Sequence, residues 1–127
     1  MSTLKVGTIQ DTSGGSSSTP AQLVGGRAQA WVNFNGTGTV AIRDDYNVST
    51  VGDNGTGQYQ VNFTTALSNN SYSVVLGGSR DQPEGSRCFP PNVDGMTTAK
   101  YDLTTHNDGS TLVDWALVQS AVFGDPS

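Results

Sequence analysis

Apolar and polar residues alternate in short segments along most of this chain. Between Gln58 and Phe63, every second residue is apolar (Tyr59, Val61 and Phe63), and the residues between them carry amides. A period of two indicates a half-buried β-strand and argues against a helix. The same pattern predicts strands near residues 28–34, 39–44, 46–51, 57–64, 71–77, 97–105 and 112–123.

Residues that favour turns separate these segments. Asn35–Gly38 and Asp53–Gly57 consist of Asn, Asp, Gly and Thr, which tolerate positive φ and close tight hairpins. Short strands with a turn every ten or so residues are typical of sandwiches. The pattern therefore predicts an all-β fold, an antiparallel β-sandwich or jelly-roll of seven to eight short strands with an extended N-terminal arm.

The N-terminal region differs from the rest. Leu4 to Gln10 is a candidate strand, and residues 11–20 form a linker rich in Gly and Ser. We therefore divide the chain into an arm and linker (1–20) and a sandwich domain (21–127). One helical turn is predicted after the linker, with Thr19 as N-cap, Pro20 at the first helical position and Gly25–Gly26 at its end. The arm is either a frayed terminus or a segment that docks onto a neighbour.

The last predicted strand, Leu112 to Phe123, is apolar on both faces. Trp115, Leu117 and Phe123 alternate with another apolar set. A strand covered on both sides is central in a sandwich or lies at a subunit contact. Only 34% of the residues are apolar, so a lone subunit looks short of core and the second option is attractive.

Composition narrows the possible functions. The chain has 127 residues, enough for one domain, and a net charge of −5 with scattered basic residues. Without a basic patch, we expect no nucleic-acid partner. No apolar run approaches the ~20 residues needed to cross a bilayer, and residues 1–20 do not resemble a secretory signal. With a single cysteine, Cys88, no disulfide within the chain is possible, and we expect synthesis in a reducing cytosol.

The sequence offers little for catalysis. His106 is the only histidine and lies beside a predicted turn, without a nucleophile or zinc signature around it. A glycosidase would need two facing carboxyl groups. The candidates are Asp44 with Asp45, Asp53, Asp81 with Glu84, Asp94 and Asp108, and most of them lie in turn signals that explain them. We therefore predict neither an enzyme nor a cofactor or metal, although the Asp- and Asn-rich turns could weakly favour Ca²⁺.

Three stretches carry a resemblance to a known group of proteins. The sequence AWVNFNGTGTVAIRDDYNVSTVGDNGTGQYQVNFTTA (Ala30 to Ala66) closely resembles a segment of small tail-fibre and tail-knob proteins of marine bacteriophages. The stretches LKVGTIQDTSGGSSSTP (Leu4 to Pro20) and DWALVQSAVFGD (Asp114 to Asp125) resemble the two ends of the same proteins. The similarity is thin from Leu67 to Thr111. It implies a virion component, made in the host cytoplasm, that takes part in attachment to the host.

The resemblance also bears on partners. Fibre proteins are usually homotrimers, which implies self-association and favours an arm that docks onto a neighbouring subunit or another virion protein. For the oligomer interface we therefore expect Leu4, Val6, Ile9, Trp115, Leu117 and Phe123.

The segment Gly77 to Gly95 is the candidate for contact with the host. It has no strand period and exceeds the usual length of a structureless loop. Its polar and aromatic side chains suit a surface polysaccharide or a protein receptor, and the candidates are Arg80, Asp81, Gln82, Arg87, Phe89 and Asn92. Alternatively, this loop only covers a sheet edge.

Two other functions remain open. One is a head-decoration or tail-adaptor protein without a receptor role, and the other is a freestanding carbohydrate-binding module. The N-terminal arm favours a virion protein over a freestanding module.

Overall fold

The computed structural model describes residues 1–79, 86–89 and 95–125, with the backbone alone for residues 86–89. This part of the chain contains one helix and ten strands. The helix α1 is Pro20–Gly26, and the strands are β1 Ile9–Gln10, β2 Ser17–Ser18, β3 Ala30–Asn35, β4 Ala41–Tyr46, β5 Val48–Gly55, β6 Gln58–Phe63, β7 Ser73–Ser79, β8 Ser86–Phe89, β9 Lys100–Asn107 and β10 Leu117–Phe123.

Eight of these strands form two four-stranded antiparallel sheets. One sheet has the order β4-β3-β10-β7 and the other β5-β6-β9-β8, while β1 and β2 pair only with each other. The predicted all-β fold is confirmed, and so are the two hairpins, because β3 pairs with β4 and β5 with β6. The architecture is consistent with a β-sandwich, and the finer jelly-roll assignment stays a prediction.

The core lies between the two sheets. Strand alternation places one set of side chains from β3 and β10 opposite a set from β6 and β9, and these form a single apolar cluster. Aromatic rings meet edge to face across it, as between Phe34 and Tyr59, whose centroids are 5.1 Å apart. The fully buried members include Phe34, Tyr59, Val61, Tyr101, Leu103, Trp115, Val118 and Val122.

Two polar contacts tie the layers together. The hydroxyl of Tyr101 in β9 is hydrogen-bonded to that of Ser120 in β10, and both groups are buried. At the junction of β4 and β5, Asn47 has a positive φ of 56°. Its amide donates to the carbonyls of Gln29 and Thr65, at 3.1 Å each, and its oxygen accepts from the Thr65 N–H at 2.8 Å. This single side chain therefore holds the point where the chain passes from one sheet to the other.

The helix follows the sequence prediction closely. Thr19 is the N-cap, and its hydroxyl accepts from the Gln22 N–H while the Gln22 side chain accepts from the Thr19 N–H. This reciprocal pair is a capping box. The helix contains no buried residue, so its local capping, rather than core packing, accounts for its bounds.

The N-terminal segment is less extended than predicted. Only Ile9–Gln10 of the candidate strand is a strand, and the linker turns back to form β2. The Asp11 carboxylate organises this turn by accepting hydrogen bonds from the Ser13 hydroxyl and from the N–H groups of Ser13 and Gly15. The hydrogen bond from the Ser13 hydroxyl is the main reason why the pKa of Asp11 is lowered. Leu4, Val6 and Ile9 are all exposed.

Two sequence-based expectations differ from the structure. The side chain of Trp115, expected at the oligomer interface, is only 2% exposed and belongs to the core of its own chain. The strand that was predicted to include both Trp115 and Leu117 begins only at Leu117, so the alternation of β10 does not apply to Trp115. In addition, the segment Gly77 to Gly95 is not free of strands, because its first residues complete β7 and Ser86–Phe89 forms β8.

Candidate functional site

The outward surface of the β5-β6-β9-β8 sheet is polar. On β6 and β9, the residues buried in the core alternate with hydrophilic residues that point outward. The outward side chains are therefore amides, hydroxyls, charged groups and one imidazole. We call this surface the polar face and define it by the outward residues Thr50, Gln58, Gln60, Asn62, Lys100, Asp102, Thr104 and His106.

Cross-strand contacts order part of the polar face. The Gln60 amide donates to the Asp102 carboxylate at 3.2 Å, and the Lys100 ammonium lies 3.7 Å from the same oxygen. The Asn62 amide donates to the Thr50 hydroxyl at 3.0 Å. Such pairs hold long side chains in defined positions, and each group retains hydrogen-bonding capacity towards the solvent. The face can therefore present a fixed array of donors and acceptors to a hydrophilic ligand.

The edge of this sheet carries part of the predicted receptor segment. In β8, Arg87 pairs with His106 and Phe89 with Thr104, so both residues occupy register positions beside the polar face. The structure thus brings two of the six predicted receptor residues to one edge strand. The other four, Arg80, Asp81, Gln82 and Asn92, lie outside the described residues.

The outward surface of the β4-β3-β10-β7 sheet has a different character. One row of cross-strand neighbours runs over all four strands, from Tyr46 through Trp31 and Ala121 to Val75. We call this surface the apolar face and define it by the outward residues Trp31, Tyr46, Val75, Leu117, Ala121 and Phe123. Two residues expected at an oligomer interface, Leu117 and Phe123, therefore share this face, but their role there is still a prediction.

A shallow groove of about 430 Å³ runs along the apolar face. Its polar wall is the next cross-strand row, in which Asp44, Asn33 and Gln119 lie side by side. The groove thus has an apolar floor of Trp31, Ala121 and Val75 and a hydrophilic rim. Neighbouring Arg43, the bulged residue of β4, donates to the carbonyl of Ala116 at 2.6 Å and thereby bends over the sheet.

The groups most often used for catalysis have structural partners. His106 contacts the Thr104 hydroxyl through Nε2, at 3.0 Å, and the Ser110 carbonyl through Nδ1, at 3.1 Å. The Asp114 carboxylate accepts from the Gly57 N–H at 2.7 Å and from the Tyr59 hydroxyl at 3.0 Å. Burial, together with the hydrogen bond and charge of Asp114, raises the pKa of Tyr59 to about 12. The Asp114 contacts join the segment before β10 to the start of β6, and the His106 contacts join the end of β9 to the turn that follows it.

Two further observations concern cofactors and membranes. Within the described residues, no group of three or more His, Cys, Asp or Glu side chains could hold a metal ion. In the same part of the chain, no helix is both long and apolar enough to cross a bilayer.

Sequence reasoning missed the apolar face as a unit. The alternation around Trp31 left its direction open, and neither Tyr46 nor Val75 was singled out. A usable signal was present, because Ala30, Val32 and Phe34 form a wholly apolar set, whereas Trp31 shares its side of the strand with Asn33 and Asn35. Val75, however, lies in an apolar run whose inward and outward positions cannot be told apart by pattern.

Comparison with protein-family models, with curated protein sequences and with solved structures found no match to this chain. The functional argument therefore depends on the residues and surfaces described above.

Proposed function

We propose that this chain is a structural protein of a bacteriophage virion, namely a tail-fibre or knob domain that contacts the host cell surface by binding and without catalysis. The observation that carries the proposal is the polar face with its edge strand β8, because a rigid sheet there presents amide, hydroxyl and charged groups to the solvent. The resemblance of Ala30–Ala66 to phage tail proteins supplies the biological setting.

The chemistry of the polar face suits a hydrophilic receptor. Sugar hydroxyls and polar peptide groups are both donors and acceptors, as are the Gln58 and Gln60 amides and the Thr104 hydroxyl. The pairing of Gln60 with Asp102 fixes two of these groups before a ligand arrives, which lowers the entropy cost of binding. A surface polysaccharide or a polar protein segment on the host is therefore the proposed ligand.

The receptor segment extends this surface. Arg87 and Phe89 stand on the edge strand of the same sheet, and an arginine and an aromatic residue offer bidentate hydrogen bonds and stacking. Binding residues commonly lie on loops and edges carried by a rigid scaffold. We therefore propose that Arg87 and Phe89 on β8 and the polar face form one contact surface.

The proposal predicts a specific loss of adsorption. Replacement of Arg80, Arg87 and Phe89 together by Ala is expected to abolish adsorption of the phage to its host, while folding and virion assembly are unchanged. The matched control is Arg27→Ala, since Arg27 is exposed and lies before β3, outside the polar face. Adsorption is measured as the fraction of free phage that remains after mixing with cells. A triple variant that adsorbs like the parent would refute the receptor role of this segment.

A virion protein without a receptor role is the main alternative. It is favoured by the exposed apolar side chains of Leu4, Val6 and Ile9, which suit a segment that docks onto another virion protein. Labelling of the protein on intact virions, observed by electron microscopy, distinguishes the two roles. Label at the tip of the tail supports host contact, whereas label on the head or at the tail junction supports decoration or an adaptor. Absence of label from the virions would refute both and favour a freestanding carbohydrate-binding module.

A further inference from the structure

The two outer faces of the sandwich differ in where they expose large apolar side chains. Within the described residues, the sandwich strands have three large exposed apolar side chains, Tyr46, Val75 and Phe123, which are 49%, 59% and 36% exposed. All three lie on the apolar face, and the outward positions of β6 and β9 on the other sheet are hydrophilic.

The apolar face is also continuous. Tyr46, Trp31, Ala121 and Val75 occupy neighbouring strands in register, and strands lie ~4.8 Å apart, so the row spans roughly 14 Å. Phe123 lies two residues beyond Ala121 on the same side of β10 and widens the row. Contiguous apolar patches of this kind mark contact surfaces on proteins.

The charges beside this row are complementary to each other. Arg43 and Asp44 are adjacent on the edge strand β4, and neither has an ion-pair partner in the part of the chain that the structure describes. The Arg43 guanidinium is already held over the sheet by the Ala116 carbonyl. A second copy of this chain would offer its own apolar row to the row of the first copy. Its Asp44 could pair with Arg43 of the first copy, and its Arg43 with Asp44.

We propose that the apolar face is where copies of this chain associate, with Trp31, Val75, Ala121 and Phe123 at the centre and Arg43 and Asp44 at the rim. Apolar and aromatic groups at the centre with charged groups around them are the usual anatomy of a protein interface. This inference goes beyond the proposed function, because self-association does not depend on any host receptor. It also leaves the polar face turned outward on every copy.

The test is the molar mass of the purified chain at micromolar concentration, measured by size-exclusion chromatography with light scattering. The parent is expected to have a multiple of the chain mass, and three times that mass if the resemblance to fibre proteins extends to assembly. Val75→Asp and Val75→Lys each place a charge in the row, and the dissociation constant is expected to rise ~100-fold or more. In a dilution series, both variants are therefore expected to dissociate at concentrations ~100-fold above those at which the parent does.

The matched control is Gln58→Asp, which adds one charge at an exposed position of the polar face, opposite Thr104. Its mass is expected to equal that of the parent. Val75 is more than half exposed, so its replacement leaves the core intact, and circular dichroism verifies the fold of each variant. A monomeric parent would overturn the proposal and leave this face to another virion protein or to a ligand. Val75 variants that dissociate over the same concentrations as the parent, or a Gln58 variant that dissociates at higher concentrations than the parent, would overturn the assignment to this face.

Discussion

The hydroxyl pair Tyr101–Ser120 is a sensitive test of how the two sheets are held together. Both side chains are buried, one on β9 and the other on β10, and their hydroxyls are hydrogen-bonded to each other across the core. Burial raises the pKa of the Tyr101 phenol, so this group is neutral in the folded protein at ordinary pH. The perturbation is a double-mutant cycle made of Tyr101→Phe, Ser120→Ala and the combined variant.

The expected magnitudes follow from the geometry. Each single replacement removes one hydroxyl and leaves its buried partner without a hydrogen bond, which costs ~1–3 kcal/mol. The combined variant leaves no orphaned hydroxyl, so it is expected to cost much less than the sum of the two single variants. The coupling between Tyr101 and Ser120 should therefore be ~1–2 kcal/mol. An exposed pair on the polar face, Asn62 and Thr50, is the matched control, because water replaces its contact and its coupling should be below ~0.5 kcal/mol.

Urea unfolding, followed by tryptophan fluorescence, measures the free energy of unfolding of each variant. The fluorescence of buried Trp115 reports on loss of the core. An unchanged denaturant slope verifies that the variants unfold as the parent does. If the two single free-energy changes simply add, or if the Asn62–Thr50 pair couples as strongly, then the hydroxyl pair is not a buried link between the sheets and the reasoning fails.

Three further predictions concern stability. Asn47→Ala is expected to cost ~2–4 kcal/mol, because it removes three hydrogen bonds and leaves an alanine at positive φ, and urea unfolding that shows less than 1 kcal/mol would contradict it. Gly57→Ala is expected to cost more than ~2 kcal/mol, since φ is +65° and a Cβ would meet the Thr105 carbonyl oxygen at 2.5 Å; a parent-like melting temperature would count against this. Stability should fall above pH 10, because the pKa values of Tyr59 and Tyr72 are raised to about 12, mainly by burial. Unfolded tyrosines ionise near pH 10 and the folded ones do not, so the stabilisation is complete below pH 10 and is lost as the pH rises towards 12. Unfolding free energies that stay constant between pH 9 and pH 11 would refute the last prediction.

The two proposals together assign a separate role to each outer face of the sandwich. Self-association on the apolar face would cover Trp31 and Val75, and the polar face with β8 would remain accessible on each copy. Such an assembly would present the proposed receptor surface several times, and multivalent contact strengthens binding without any new contact in a single subunit. The adsorption and molar-mass experiments test these two surfaces independently.

Much of the local structure was determined by the sequence itself. The alternation from Gln58 to Phe63 correctly predicted a strand with an apolar and an amide-rich side, because the pleat of a strand turns successive side chains to opposite faces. The hairpin turns and the capped helix at Thr19 were also predictable, since they depend on the φ preferences and hydrogen bonds of residues only a few positions apart.

Other features depended on the tertiary structure. The pattern did not predict β8, because Ser86–Phe89 is too short to show a period and becomes a strand by pairing with β9. Trp115 was placed in one strand with Leu117 and Phe123 and expected with them at the oligomer interface, but β10 begins only at Leu117 and the Trp115 side chain lies in the core.

The apolar face shows the same limit on a larger scale. Its central row joins Tyr46, Trp31, Ala121 and Val75, which come from four segments spread over most of the chain. Alternation assigns each of these residues to one side of its own strand, but it does not say which side meets the core or which strands become neighbours. Sheet order and register decide both, because side chains far apart in sequence form one surface only when backbone hydrogen bonds bring their strands together.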